Sequence, residues 1–191
     1  MRPLMMVGLA AVLGACGSEP EPRASAPRPT DEAPEMRPIA GGVTWRAEAP
    51  LEARASANAM RAAEYGVRGH ADATLAVFYF GDQEGGGGSV ESNIERWLGQ
   101  LEQPDGRPTA SVAARGEREV NGMKVTTVDA RGTFVGRLGM GGGGRHAGWR
   151  VLGAIVAGPR GLVFFKLTGP EAAVGAAEVA FEQLVESLEP I

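Results

Sequence analysis

Two runs of four glycines, Gly85–Gly88 and Gly141–Gly144, are the first features of this chain that could do chemistry. A glycine run ahead of a helix can receive an anion, because the free N–H groups and the helix dipole favour negative charge there. The first run does precede a helical pattern. No Gly-Lys-Ser or Gly-Lys-Thr follows it, and four consecutive glycines do not fit a dinucleotide fingerprint. Asp82 and Glu84 beside it would also repel a phosphate. The second run leads into Arg145-His146, a cationic pair next to a segment of high backbone freedom. Gly85, Gly86, Gly87, Gly88, Gly141, Gly142, Gly143, Gly144, Arg145 and His146 are therefore candidate contact loops rather than a phosphate cradle. They would act together if both loops lay at one end of a sheet. That requires the strand before the first loop and the strand after the second to be antiparallel neighbours.

The remaining reactive types do not converge. His70-Ala71-Asp72 could offer two metal ligands, and Asp82 and Glu84 two more. A strand of about seven residues, about 23 Å, separates the pairs, so they cannot share one ion. None of the serines (Ser18, Ser25, Ser56, Ser89, Ser92, Ser111, Ser187) stands in a Gly-x-Ser-x-Gly elbow. Glu117 and Glu119 alternate with Arg115 on one side of a strand pattern, which predicts a solvated face with cross-strand pairing. One Cys excludes an intramolecular disulfide and a multi-Cys zinc site. A net charge of -4 and a pI near 5.3 argue against nucleic acid as a partner. These readings predict no enzyme, no metal and no cofactor.

The N-terminus carries an address. Arg2 supplies one positive charge, and Leu4 to Ala15 is an uncharged apolar run. Twelve helical residues reach only about 18 Å, against about 30 Å of bilayer core. That length predicts a signal peptide over residues 1–15, not a membrane span. It closes on Leu13-Gly14-Ala15-Cys16, which holds the only Cys of the chain. This quartet resembles the lipobox of bacterial lipoproteins. The resemblance implies signal recognition at Leu13, Gly14 and Ala15, cleavage before Cys16, and lipid on Cys16. Several acyl chains hold a protein on a membrane where one holds it only marginally. Gly17-Ser18, with no Asp after the Cys, resembles export to the outer membrane in diderm bacteria, facing the periplasm. Cleavage removes Arg2 alone from the 19 Lys and Arg, against 23 Asp and Glu, so the mature chain stays acidic.

From Gly17 to Pro38 the composition is Ser, Glu, Ala, Arg and six prolines, with little to bury. Such a segment cannot offset its ordering entropy, which predicts a disordered tether over residues 16–42. Residues 43–191 are long enough to hold one core without metal or disulfide.

Strand patterns run over Val43–Ala47, Met60–Val67 and Thr74–Phe80, the last apolar on both faces and so central. Val90, Ile94, Trp97, Leu98 and Leu101 share one helical stripe behind Ser89 as N-cap. Arg115–Val120 and Met123–Ala130 flank Asn121-Gly122, a strong hairpin signal. Trp149–Ala157 and Leu162–Leu167 form a second hairpin. Gly169-Pro170 opens a last helix carrying Val174, Ala177, Phe181, Leu184, Val185 and Leu188 on one face. Hairpins joined by few helices predict an α+β fold, mainly an antiparallel β-sheet with helices packed on it.

Three stretches together carry a further likeness. They are Met60-Arg61-Ala62-Ala63-Glu64-Tyr65 ahead of Phe78-Tyr79-Phe80-Gly81, then Asn93-Ile94-Glu95-Arg96-Trp97 with Gln100, and Phe164-Phe165-Lys166-Leu167-Thr168-Gly169-Pro170. The set resembles a family of uncharacterised bacterial secreted or lipid-anchored proteins, from Trp45 to Leu188. More distantly, the element order and the final helix ending Ser187-Leu188 resemble the PsbP-like fold, an α-β-α sandwich. That resemblance implies a binding or assembly role and carries over no catalytic residue, since fold alone does not give function. The expectation is a lipid-anchored cell-envelope protein, a non-catalytic binding or assembly module. Its partners would be the membrane, through its anchor, and an envelope protein. The alternatives are an envelope hydrolase joining His70 or His146 to a Ser and an acid, or a purely structural envelope protein.

Overall fold

Side-chain alternation along Val163–Thr168 sends Val163, Phe165 and Leu167 to one face and Phe164, Lys166 and Thr168 to the other. Burial on both faces requires a strand with a neighbour on each side and a layer above and below. A computed structural model shows that arrangement. It describes residues 37–81, 87–136 and 144–191. The strands are β1 (Ile39–Ala40), β2 (Val43–Thr44), β3 (Leu51–Arg54), β4 (Arg61–Val67), β5 (His70–Tyr79), β6 (Leu101–Glu102), β7 (Ala114–Val120), β8 (Met123–Phe134), β9 (His146–Gly158), β10 (Gly161–Pro170) and β11 (Glu189–Pro190). The helices are α1 (Val90–Leu98), α2 (Glu171–Ala176) and α3 (Glu178–Glu186), with one 3-10 turn at Thr109–Ser111.

Two meanders make the main sheet. One is β3-β4-β5, the other β7-β8-β9-β10, and every pairing is antiparallel. They meet where β5 pairs β10, with Ala76 opposite Lys166 and Thr74 opposite Thr168. The short β6 adds to the far end of β8. Asn121 (φ 47°) and Gly122 (φ 78°) make the β7–β8 turn in the left-handed region, as the Asn-Gly pair predicts. A small sheet, β1-β2-β11, closes one end. The fold is α+β, mostly antiparallel sheet with a helical layer on each face.

One face buries Trp45, Leu75, Val77, Phe165 and Leu167 under α2 and α3, through Val174, Phe181, Leu184 and Leu188. Trp45 meets Phe165 edge to face at 5.0 Å, and its indole N–H donates to Tyr65 Oη at 2.9 Å. Burial pushes the Tyr65 hydroxyl up despite that bond. The other face carries α1. Ile94, Trp97 and Leu98 pack there on Val128, Val151, Ile155 and Phe164. Trp97 lies directly over Gly153, where an added Cβ would sit 2.4 Å from the indole. Arg150, 3% exposed, ties β8, β9 and α3 together. It donates to Glu178 at 2.7 and 2.8 Å and to Asp129 at 2.8 and 2.9 Å. Those bonds, Glu178 first, outweigh burial and hold the guanidinium charged.

The structure corrects several boundaries. The fold begins upstream of the expected tether limit at residue 42. β1 pairs β2 across Gly41 (φ 57°) and Gly42 (φ 74°), and Arg37 pairs with Glu189 at 2.9 Å. Two residues of strand are too few to show periodicity. α1 stops at Leu98, because Gly99 ends it, so Leu101 is buried from β6 rather than from the helix stripe. The last helix is split at Ala177, although all six residues of its stripe are buried. β3, an edge strand with one buried side chain, has too little alternation to be read in advance.

Truncating Trp97 removes the main contact between α1 and the sheet. Trp97→Ala should cost roughly 3–5 kcal/mol, whereas Arg96→Ala, on the exposed side of α1, should leave the melting temperature close to that of the parent. Thermal denaturation of both variants checks the assignment of the helix face.

Candidate functional site

The face that carries α1 is only half covered. α1 lies over β8, β9 and part of β10. Beyond its end, β4, β5 and the second half of β10 are left open as a cavity of about 460 Å³. Typical ligand pockets span roughly 300–1,000 Å³. Alternation places Thr74, Ala76 and Phe78 of β5 on its floor, with Arg61 and Glu64 of β4 and Lys166 and Thr168 of β10. Gln100, Phe134 and Trp149 form one wall, and Ala57, Ala71 and Asp72 the opposite rim. Phe134 and Trp149 stack at 5.1 Å and 25°.

Lys166 dominates the electrostatics. Its strand neighbours are Ala76 and Gly153, so nothing beside it crowds the side chain. The residue is partly open along its length, yet its charged end is enclosed. Nζ donates to Gln100 Oε1 and stands 6.0 Å from the ring centres of Trp97 and Phe134. Among the described residues no carboxylate pairs with it. Burial, reinforced by the nearby charges of Arg96 and Arg61, pushes its pKa from an ordinary 10.5 down to about 7. Desolvation without a counter-charge disfavours the charged form.

Arg61 and Glu64 sit across the floor. Arg61 Nη1 pairs with Glu64 Oε2 at 2.7 Å, and the Ala57 N–H donates to the same carboxylate at 2.7 Å. Burial alone would raise the Glu64 pKa. The Ala57 and Arg61 hydrogen bonds, with the charges of Arg61 and Arg54, outweigh it and hold the carboxyl below the usual range. Two other buried polar atoms of the pocket lack a partner: Arg61 Nε and Thr168 Oγ1. Buried polar groups are nearly always satisfied, so each exception requires an explanation.

The residues singled out from sequence do not build this site. Leu13, Gly14, Ala15 and Cys16 lie outside the described residues, as do Asp82, Glu84, Gly85, Gly86, Gly141, Gly142 and Gly143. β10 is antiparallel to both β5 and β9, so those two strands run parallel. The loop after β5 and the loop before β9 therefore leave opposite ends of the sheet, which removes the idea of one shared contact edge. Gly87 and Gly88 have structural duties. Both take φ 81°, and a Cβ at Gly87 would strike Phe80 at 2.4 Å. Arg145 is paired with Glu102 at 2.7 Å. His146 is the first residue of β9, not a loop tip, and its ring lies 5.0 Å from Trp149. His70 and Asp72 belong to β5 rather than to a turn, and Asp72 reaches the pocket rim. Glu117 pairs with Lys124 and Arg115 with Glu91, as a solvated strand face should. Among the described residues no group of three or more His, Cys, Asp or Glu could hold a metal, and no serine hydroxyl bonds a histidine.

Lys166, Arg61, Glu64, Gln100 and Thr168 were not singled out as site residues. One signal was available: Lys166 is a lone charge inside an apolar run predicted to be one strand of a hairpin.

No family model matches the chain, and no curated protein matches it. The resemblance to a secreted or lipid-anchored family thus rests on the three quoted stretches alone. Solved structures do match. CyanoP, the cyanobacterial PsbP of Synechocystis sp. PCC 6803, aligns over 79% of this chain and 88% of its own, with a TM-score of 0.50 and 15% identity. A Pseudomonas aeruginosa protein of unknown function aligns over 64% of this chain and 76% of its own, with a TM-score of 0.41 and 15% identity. The fold is PsbP-like.

An enclosed ammonium without a counter-charge is a standing cost to the fold. Unfolded, Lys166 regains its ordinary pKa and binds more protons than the native state between about pH 7 and 10.5. Its contribution therefore makes stability rise with pH across that window. Lys166→Met should be more stable than the parent at pH 6 by at least about 1 kcal/mol, or about 2–4 °C. The gap should close by pH 10.5, and melting curves at pH 6, 8 and 10 check it.

Proposed function

We propose that this chain is a lipid-anchored protein of the bacterial cell envelope whose folded part is a non-catalytic binding module, with the Lys166 pocket as its recognition site. The observation that carries the binding role is the pocket itself. It holds an enclosed cation, two unpartnered polar atoms and a wall of stacked aromatic rings in one cavity. Perturbed, costly groups gathered in a concave site are a mark of function rather than of folding. The PsbP-like fold agrees with a binding role by analogy only.

The anchor rests on Leu13-Gly14-Ala15-Cys16 and the proline-rich segment behind it. In a diderm host the protein would sit on the outer membrane facing the periplasm.

Two measurements test the two halves separately. Cys16→Ser should abolish the lipid mass on the protein and move it out of the membrane fraction of its host. Lipid mass retained elsewhere on the chain would end the anchoring proposal. For the pocket, the isotope-labelled chain is titrated with the small-molecule extract of its host's envelope. Amide and indole shifts should gather at Trp149, Phe134, Lys166 and Thr168 and vanish in Lys166→Met. Shifts that are absent, or unchanged in the variant, would remove the pocket as the recognition site.

A further inference from the structure

The donors and acceptors of the pocket do not balance. Lys166 has three N–H donors and uses one, on Gln100. Arg61 spends Nη1 on Glu64 but leaves Nε unpaired, and Thr168 Oγ1, also on the floor, is unpaired. The carboxylate of Glu64 is already occupied by Ala57 and Arg61. The other acid, Asp72, stands at the rim and is exposed to water. Unspent donors thus outnumber unspent acceptors in the enclosed part of the site. The ammonium of Lys166, when protonated, has no carboxylate beside it.

We infer, building on the reading of this pocket as a recognition site, that it takes a small monocarboxylate with a flat apolar body. The carboxylate oxygens would accept from Lys166 Nζ and Thr168 Oγ1. The apolar body would lie along Phe134 and Trp149. A single charge matches the single unpaired cation. A phosphate dianion would bring one more negative charge towards Glu64 and Asp72, with no second free cation lining the cavity to receive it. A cation would be repelled by Lys166 and Arg61 and would find no free enclosed acceptor pair.

Charge linkage gives the inference a second handle. The groups facing Lys166 are Arg96 of α1, Arg61 and Glu64 of β4, and Asp72 of β5; His146 of β9 lies behind Trp149. The two arginines stay charged and Glu64 stays ionised through the neutral range. A bound carboxylate favours protonated Lys166, so above its native pKa binding must take up a proton. Affinity should be level below about pH 7 and fall towards tenfold per pH unit above it.

The experiment uses the full-length chain in mild detergent, with benzoate as probe. Inorganic phosphate, benzyl alcohol and benzylammonium are the comparators, read by calorimetry and by the Trp149 indole N–H signal. Benzoate should bind with a dissociation constant of about 1 mM or tighter. It should weaken above pH 7 as stated, by at least tenfold in Lys166→Met and by several-fold in Thr168→Val. Lys166→Met is expected to be more stable than the parent, so loss of binding there is not loss of folding. A melting curve on each variant confirms this. Binding of phosphate in preference to benzoate would overturn the inference, as would equal binding of benzyl alcohol or benzylammonium. In those cases the pocket still recognises a ligand and only its class is wrong. If no probe binds and the envelope extract also leaves Trp149 unmoved, both the inference and the recognition site fail.

Discussion

The pairing of β5 with β10 is the constraint on which the rest of this structure depends. Neither hairpin geometry nor chain proximity supplies this ladder, and it joins two meanders into a single sheet. Its register sets Lys166 opposite Ala76 and Thr168 opposite Thr74. A slip of one residue would turn Lys166 into the core beneath α2 and α3 and expose Phe165 or Leu167. The apolar residues of β10 therefore hold the lysine in place: burying Phe165 and Leu167 on one face leaves Lys166 no alternative to the other.

Once the register is set, small residues decide where the pocket opens. Ala76 and Gly153 flank Lys166, and neither fills the space above the sheet. On the Gly153 side Trp97 occupies that space and locks α1 down. On the Ala76 side nothing does, because α1 ends at Leu98 and the chain turns at Gly99 to pair β6 with β8. The cavity is thus the uncovered half of a sheet face whose other half is core. Its polar floor is tolerable because Arg61, Glu64 and the Ala57 N–H satisfy one another. Lys166, with no counter-charge, and the unpartnered Arg61 Nε and Thr168 Oγ1 are the exceptions, and their cost to stability is the kind of local inconsistency that functional sites carry.

The three stretches that carry the resemblance to secreted and lipid-anchored proteins acquire a physical meaning here. Met60–Tyr65 supplies Arg61 and Glu64, the segment running to Gln100 supplies the partner of Lys166, and Phe164–Pro170 supplies Lys166 and Thr168. They are far apart in the chain and meet at one cavity. Gly87, Gly88, Gly144 and Arg145, the described residues of the two glycine-rich runs, do not line it. The end of β5 and the start of β9 lie at opposite ends of the sheet, and those described residues are bound into local packing.

What the sequence determined by itself was local. The Asn121-Gly122 turn, the central character of the β5 segment, the hairpin of β9 and β10, the apolar stripe through Ile94 and Trp97, and the face of the last helix all follow from period and turn chemistry within a few residues. The α+β class followed from their order. Elements with too few residues to show a period, β1, β3 and β6, were not legible, nor was the break at Ala177. The pocket belonged to the tertiary structure alone. Arg61, Gln100 and Lys166 are separated by dozens of residues, and only Lys166, a lone charge in an apolar run, stands out in its own segment. Their meeting depends on the β5–β10 register and on the point where α1 ends. The lowered pKa of Lys166 exists only because the fold removes water from it while bringing no carboxylate to its side.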